Sequence, residues 1–139
     1  MKIDPALHPW MMSPETVQVM TALGDARFVG GAVRNAMLGA PVADVDIAVP
    51  MRPEEVLARL KSHEIRAIPT GLEHGTVTAL VAGKLFEITS LRRDVETDGR
   101  HAVIGFTEDW SEDAARRDFT INAMYAALDG EILDRKSVV

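Results

Sequence analysis

The sequence predicts an α/β or α+β domain built on a mixed sheet flanked by helices, and three observations carry that prediction. Capped helical stripes interleave with short alternating runs along the whole chain, the pattern of layers that each bury one face. The chain has 139 residues and is 47% hydrophobic, one domain's worth with enough apolar surface for a core. A strand, a glycine pair, a helix and a second strand fill a βαβ-sized stretch at 29–49. No internal repeat, low-complexity tract or Gly/Ser linker divides the chain, so a single domain over 1–139 is expected.

The elements follow in order. Ser13 is a good N-cap with Pro14 at N1, and Val17, Met20 and Leu23 form one helical stripe that stops at Gly24. A short strand at 27–29 ends in Gly30-Gly31, which turn without a Cβ penalty. The helix expected at 32–38 then offers its first N–H groups to phosphate, with Arg34 on its first turn. Residues 43–49 alternate as a strand, placing Asp44 and Asp46 on one face with Cα atoms roughly 6.5 to 7 Å apart.

A second helix opens at Pro53-Glu54-Glu55 and runs through Val56, Leu57 and Leu60 to about His63. Residues 65–68 suggest a short strand, and 76–81 and 85–90 flank Ala82-Gly83-Lys84 as an antiparallel hairpin. The almost wholly polar 92–100 suits a mobile solvated loop. A strand is expected at 102–106. Ser111 with Glu112 and Asp113 opens a helix through Arg116 and Arg117, and 119–128 reads as a further helical run ending at Asp129-Gly130.

Composition excludes several classes. A net charge of −6 argues against a broad basic face for nucleic acid, so any such contact is local. There is no cysteine, which rules out disulfides, thiolate zinc sites and a cysteine nucleophile and fits a reducing cytoplasm. The N-terminus carries acids and prolines where a secretory signal needs an apolar run, and no stretch approaches 18 apolar residues, so no membrane partner is expected.

The chemistry gathers in a few places. An isolated Asp-x-Asp is weak, but Asp44 and Asp46 sit in a strand otherwise made of Ala, Val and Ile, where buried acids need a cation. Two carboxylates so placed can share a pair of magnesium ions. Glu87, inside the apolar Leu85-Phe86-Glu87-Ile88, is either a solvent-facing edge position or, if its strand pairs beside 43–49, a third carboxylate; the second reading is preferred. A dinucleotide fingerprint fits badly, because the acids come about 14 residues after the glycines where about 20 is expected. Arg116-Arg117-Asp118-Phe119-Thr120-Ile121-Asn122 is either an exposed cationic turn held by Glu112 and Asp113 at i+4, or a phosphate and ribose clamp. His74 reads as a turn residue, and Trp10 and Trp110 as packing residues.

Gly30-Gly31 with Val33-Arg34, Leu38-Gly39, Asp44-x-Asp46, 87–92, Asp98-Gly99-Arg100 and 116–124 together resemble the class II tRNA nucleotidyltransferases, the CCA-adding enzymes, and the related bacterial poly(A) polymerases. The resemblance covers about 25–134 and corresponds to the family's N-terminal head, a polymerase-β-like nucleotidyltransferase domain. It implies transfer of nucleotides from CTP and ATP to the 3′ end of tRNA, with two Mg²⁺ ions on Asp44, Asp46 and Glu87. It further implies that Gly30, Gly31, Arg34, Arg116 and Arg117 meet the triphosphate and that Asp118 and Asn122 order the sugar. Arg92, Asp98 and Arg100 would belong to a flexible loop. Asn35 departs from the pattern, where an acid commonly follows Val-Arg. The neck, body and tail domains that read the base and hold tRNA are not in these residues, so a head-domain fragment is expected, with 135–139 as a truncation or cloning scar. Poly(A)-type addition and a non-catalytic nucleotide-binding or assembly module are the alternatives.

Overall fold

The computed structural model describes residues 8–38, 45–96, 102–116 and 125–133. A one-turn helix, α1 (Pro9–Met12), leads into α2 (Pro14–Leu23). Between them Ser13 caps α2 as expected: its Oγ accepts from the Thr16 N–H at 3.3 Å, with Pro14 at the first helical position. At the other end Arg59 donates from Nη1 to the Leu23 carbonyl at 3.0 Å, satisfying an oxygen the helix leaves open. The chain then passes through β1 (Arg27–Val29), α3 (Gly31–Met37), β2 (Val45–Val49), α4 (Pro53–Ser62), β3 (Arg66–Gly71), a 3₁₀ turn (Leu72–His74), β4 (Thr76–Val81) and β5 (Lys84–Ser90). It continues as β6 (Arg92–Glu96), β7 (Ala102–Phe106), α5 (Trp110–Ala115), β8 (Tyr125–Ala126) and β9 (Ile132–Leu133).

Among the described residues, seven strands form one sheet in the order β3-β4-β5-β2-β1-β8-β9, and β6 with β7 makes a separate antiparallel pair. The large sheet is mixed. β2 runs parallel to β5 but antiparallel to β1, so 29–49 is a strand-helix-strand unit without parallel strands. As expected, β4 and β5 are antiparallel neighbours.

Alternation along the strands divides the side chains between the two faces. Phe28, Val45, Ile47, Val49, Phe86, Ile88 and Val77 pack with Met11, Val19, Leu23, Val33, Val56 and Leu60 from the helices in the main core. Each such large side chain, fully buried, contributes about 1.5 to 3 kcal/mol. On the opposite face Val29, Ala48 and Tyr125 meet Leu91, Ala114 and the half-buried Trp110 in a smaller core under α5. Trp10 stands edge-on to Phe28 at 5.0 Å and Trp110 edge-on to Tyr125 at 5.1 Å, so both tryptophans pack, as the sequence suggests.

Several expectations need correction. Residues 92–96 are a strand, not part of a solvated loop: Arg92 pairs with Phe106 and Glu96 with Ala102, because the charged run finds an edge to pair with ten residues on. Tyr125 and Ala126 are not helical but pair with Val29 and Phe28, where the buried tyrosine is worth more to the small core than a further helical turn. The helix after β7 is capped by Asp109 rather than opened by Ser111; the Asp109 carboxylate accepts from the Ser111 N–H at 2.8 Å and hydroxyl at 2.6 Å. Those bonds hold the Asp109 carboxyl below its ordinary range. The short strand expected at 65–68 runs instead over Arg66–Gly71, with a register shift between Ile68 and Gly71. The helix expected to run on through Arg116 and Arg117 ends at Ala115 with Arg116 as its C-cap.

Candidate active site

Two of the three acids singled out above meet across the sheet. Asp46 on β2 and Glu87 on β5 are register partners in the parallel pair, and Thr78 on β4 is the next partner in the same row. Parallel partners project to the same face from strands about 4.8 Å apart, so the two carboxylates share one surface. That surface is the one covered further along by α5, since Ala48, two residues on from Asp46, belongs to the smaller core. Asp46 is half-buried and Glu87 exposed.

Gly30 lies beside this pair. It has φ +65° and ψ −131°, a conformation open to glycine and strained for other residues, and its carbonyl accepts the Arg34 N–H at 3.0 Å to start α3. A Cβ built on Gly30 would lie 3.8 Å from Asp46 Oδ2. The carboxylate therefore sits directly over the glycine turn. Gly31 is the first residue of α3, one position before the expected start. Arg34 is exposed, and its Nε lies 3.5 Å from the side-chain oxygen of Asn35.

Arg116 is half-buried at the C-cap of α5. Asp44, Asp98, Arg100, Arg117, Asp118 and Asn122 lie outside the described residues. Among the described residues, no group of three Asp, Glu or His side chains is close enough to hold a metal ion. Asp46 and Glu87 supply the hard carboxylate oxygens that suit Mg²⁺.

Arg92 does not behave as a loop residue. It opens β6 half-buried, and its guanidinium donates to the His74 carbonyl at 3.3 Å. His74 takes part through its backbone, in keeping with a turn role. The next residue, Gly75 (φ +79°), is buried under the Phe106 ring of β7 and accepts the Ser90 N–H at 2.8 Å. These contacts join the base of the β6–β7 pair to the large sheet.

Asp113 was legible only as one more acid on a charged helix, whether as the start of that helix or as an i+4 partner for a cationic turn. It is instead 1% exposed. Its Oδ1 accepts the Arg92 backbone N–H at 2.9 Å and its Oδ2 accepts the Tyr125 hydroxyl at 2.6 Å. Glu112 accepts the Thr107 hydroxyl at 2.7 Å. The partners come from β6 and β8, which no local pattern around Asp113 announces. Arg27, with its guanidinium 4.1 Å above the Trp110 ring, is also part of this cluster, and burial pushes its pKa below the ordinary value against the opposing charge of Asp25. No helix among the described residues is long and apolar enough to cross a membrane.

Residues 26–137 match the family described as the poly A polymerase head domain. Among curated proteins, the mitochondrial CCA tRNA nucleotidyltransferase 1 of Danio rerio is 47% identical over 111 residues, which are 79% of this chain and 26% of that protein. The CCA-adding enzyme of Bacillus cytotoxicus is 43% identical over 112 residues, 79% of this chain and 27% of that protein. The chain thus spans about a quarter of the length of these relatives. Among solved structures, the Bacillus stearothermophilus CCA-adding enzyme in complex with CTP superposes with a TM-score of 0.68 and 38% identity, over 88% of this chain and 29% of that one. A tRNA nucleotidyltransferase complexed with a primer tRNA and an incoming ATP analog gives 0.59 and 30%, over 84% of this chain and 33% of that one.

Proposed function

Since this chain belongs to the poly A polymerase head domain family, we propose that it is the catalytic head of a nucleotidyltransferase that adds nucleotides from CTP and ATP to the 3′ end of tRNA. The observation that carries this reading is the register pairing of Asp46 with Glu87 beside the Gly30 turn. It is supported by relatives named as CCA-adding enzymes and by one solved with CTP. The activity is that of the full polypeptide carrying this sequence, and its proposed location is the cytoplasm.

Asp44, Asp46 and Glu87 would hold two Mg²⁺ ions, which when bound lower the pKa of a primer 3′-hydroxyl and offset charge on the transferred phosphoryl group. The remaining work falls to the chain itself. Gly30 and Gly31 present bare backbone where the triphosphate approaches, and Arg34, Arg116 and Arg117 neutralise its charge. Asp118 and Asn122 orient the sugar. Holding primer and triphosphate in line on a rigid sheet face supplies most of the rate, because phosphoryl transfer depends on positioning and electrostatics.

Poly(A)-type addition to RNA 3′ ends is the second reading, favoured by the description of the matched family. Replacing Asp44 and Asp46 by Ala in the full polypeptide tests both against a non-catalytic module. Loss of incorporation into a tRNA lacking its 3′ end, and into a generic RNA primer, is expected; undiminished incorporation rejects the enzyme reading. The primer preferred by the unaltered protein separates CCA addition from poly(A) addition.

A further inference from the structure

We propose that Asp113 is a positioning residue for nucleotidyl transfer, its buried carboxylate locking together the three segments that lead into the active site. The inference rests on the nucleotidyltransferase reading above. A carboxylate taken out of water is costly unless its oxygens are hydrogen-bonded, and here the two oxygens are served by different parts of the chain. Oδ1 holds the N–H of Arg92, two residues beyond the end of β5, the strand that carries Glu87. Oδ2 holds the hydroxyl of Tyr125, whose register partner on β1 is Val29, the residue before Gly30. The third segment is α5 itself, where the Arg116 N–H donates to the Asp113 carbonyl at 3.3 Å.

One side chain therefore sets the spacing of the Glu87 strand, the glycine turn over Asp46 and Arg116. Stability accounts for an acceptor on the Arg92 N–H but not for the bond to Tyr125, since an apolar pair of the same shape would fill that part of the core equally well. A fixed geometry does: hydrogen bonds are directional where apolar contacts are not. The Trp110 ring, edge-on to Tyr125 under the Arg27 guanidinium, keeps the tyrosine hydroxyl aimed at Asp113.

The test uses the full polypeptide with Asp113→Ala, which removes both acceptors, Tyr125→Phe and the double variant, alongside Asp46→Ala. Steady-state incorporation into a tRNA lacking its 3′ end is measured over a range of CTP and ATP concentrations. Each single variant is expected to lower kcat about tenfold or more while KM for the nucleotide moves less than about threefold, since displacement by ~1 Å can cost on the order of 10²-fold. The double variant is expected to be no slower than the worse single, because the bond to the Tyr125 hydroxyl is already absent once Asp113 is replaced. Tyr125→Phe keeps the ring in place, so the test stands even if Asp113→Ala does not fold; circular dichroism at the assay temperature shows which variants are folded. A folded single variant with wild-type kcat, or additive losses in the double, overturns the inference. If Asp46→Ala abolishes incorporation while Tyr125→Phe leaves kcat intact, only the positioning role fails. If Asp46→Ala incorporates normally, the nucleotidyltransferase reading fails and this inference with it.

Discussion

Alanine at Gly30 and alanine at Gly75 separate what the site needs from what the fold needs. Both glycines have positive φ, +65° and +79°, so each substitution carries backbone strain. At Gly30 a Cβ would have ordinary contact with Asp46 Oδ2 at 3.8 Å and no clash, which leaves the strain alone, about 1 to 3 kcal/mol. At Gly75 the Cβ would stand 2.6 Å from Phe106 Cε1 and 3.4 Å from Ser90 Cβ. Overpacking of about 1 to 3 kcal/mol then adds to left-handed strain of about 1 to 2 kcal/mol. Gly75→Ala should therefore be the less stable protein by ~1 to 2 kcal/mol, read from chemical denaturation followed by circular dichroism. Activity should rank the other way. Per folded molecule, Gly75→Ala keeps most of its nucleotide incorporation, whereas Gly30→Ala loses it, because the new methyl group and the shifted turn lie against the Asp46 carboxylate. Gly30→Ala turning over like the unaltered protein, or Gly75→Ala proving the more stable of the two, refutes this ranking.

Other outcomes follow from single contacts. Leu60→Ala empties a position of α4 that is 0% exposed in the main core and should cost about 2 to 5 kcal/mol in chemical denaturation, without moving the site acids. Asp109 has its carboxyl pKa depressed first by the Ser111 hydroxyl and then by the Ser111 N–H, so its cap stabilises above the ordinary carboxylate range and fades as pH falls through the lowered value. A stability-against-pH series should accordingly fall less steeply on the acid side for Asp109→Asn than for the unaltered protein. Arg34→Ala, exposed on α3, should leave the melting temperature unchanged and raise KM for CTP and ATP about tenfold, as one lost charge-assisted phosphate contact implies.

Local signals were sufficient wherever one segment determined its own structure. The Ser13-Pro14 cap, the Gly30-Gly31 turn and the β4–β5 hairpin each carry their instructions within a few residues, and each is found in place. The pairing of Asp46 with Glu87 was legible only conditionally, because a parallel partner 41 residues away leaves no periodicity of its own. Where a long-range partner overrode local character, the reading failed. Arg92–Glu96 is polar enough for a loop yet has β7 to pair with, and Tyr125 sits in a helical-looking run yet is pulled into the small core by β1 and β9. Asp113 shows the same limit in a single side chain: a charge in a charged run is indistinguishable from a solvated one until Tyr125 and the Arg92 amide are placed around it.

Glu87 offers the most direct test of the central claim. It is exposed, so Glu87→Gln should leave the circular dichroism spectrum and melting temperature of the full polypeptide unchanged. If Glu87 completes an acid cluster with Asp44 and Asp46, incorporation of labelled CTP and ATP into a tRNA lacking its 3′ end should fall on the order of 10²-fold or more. Incorporation within about twofold of the unaltered protein, below what loss of even one ordinary hydrogen bond in the transition state would cause, would contradict the account.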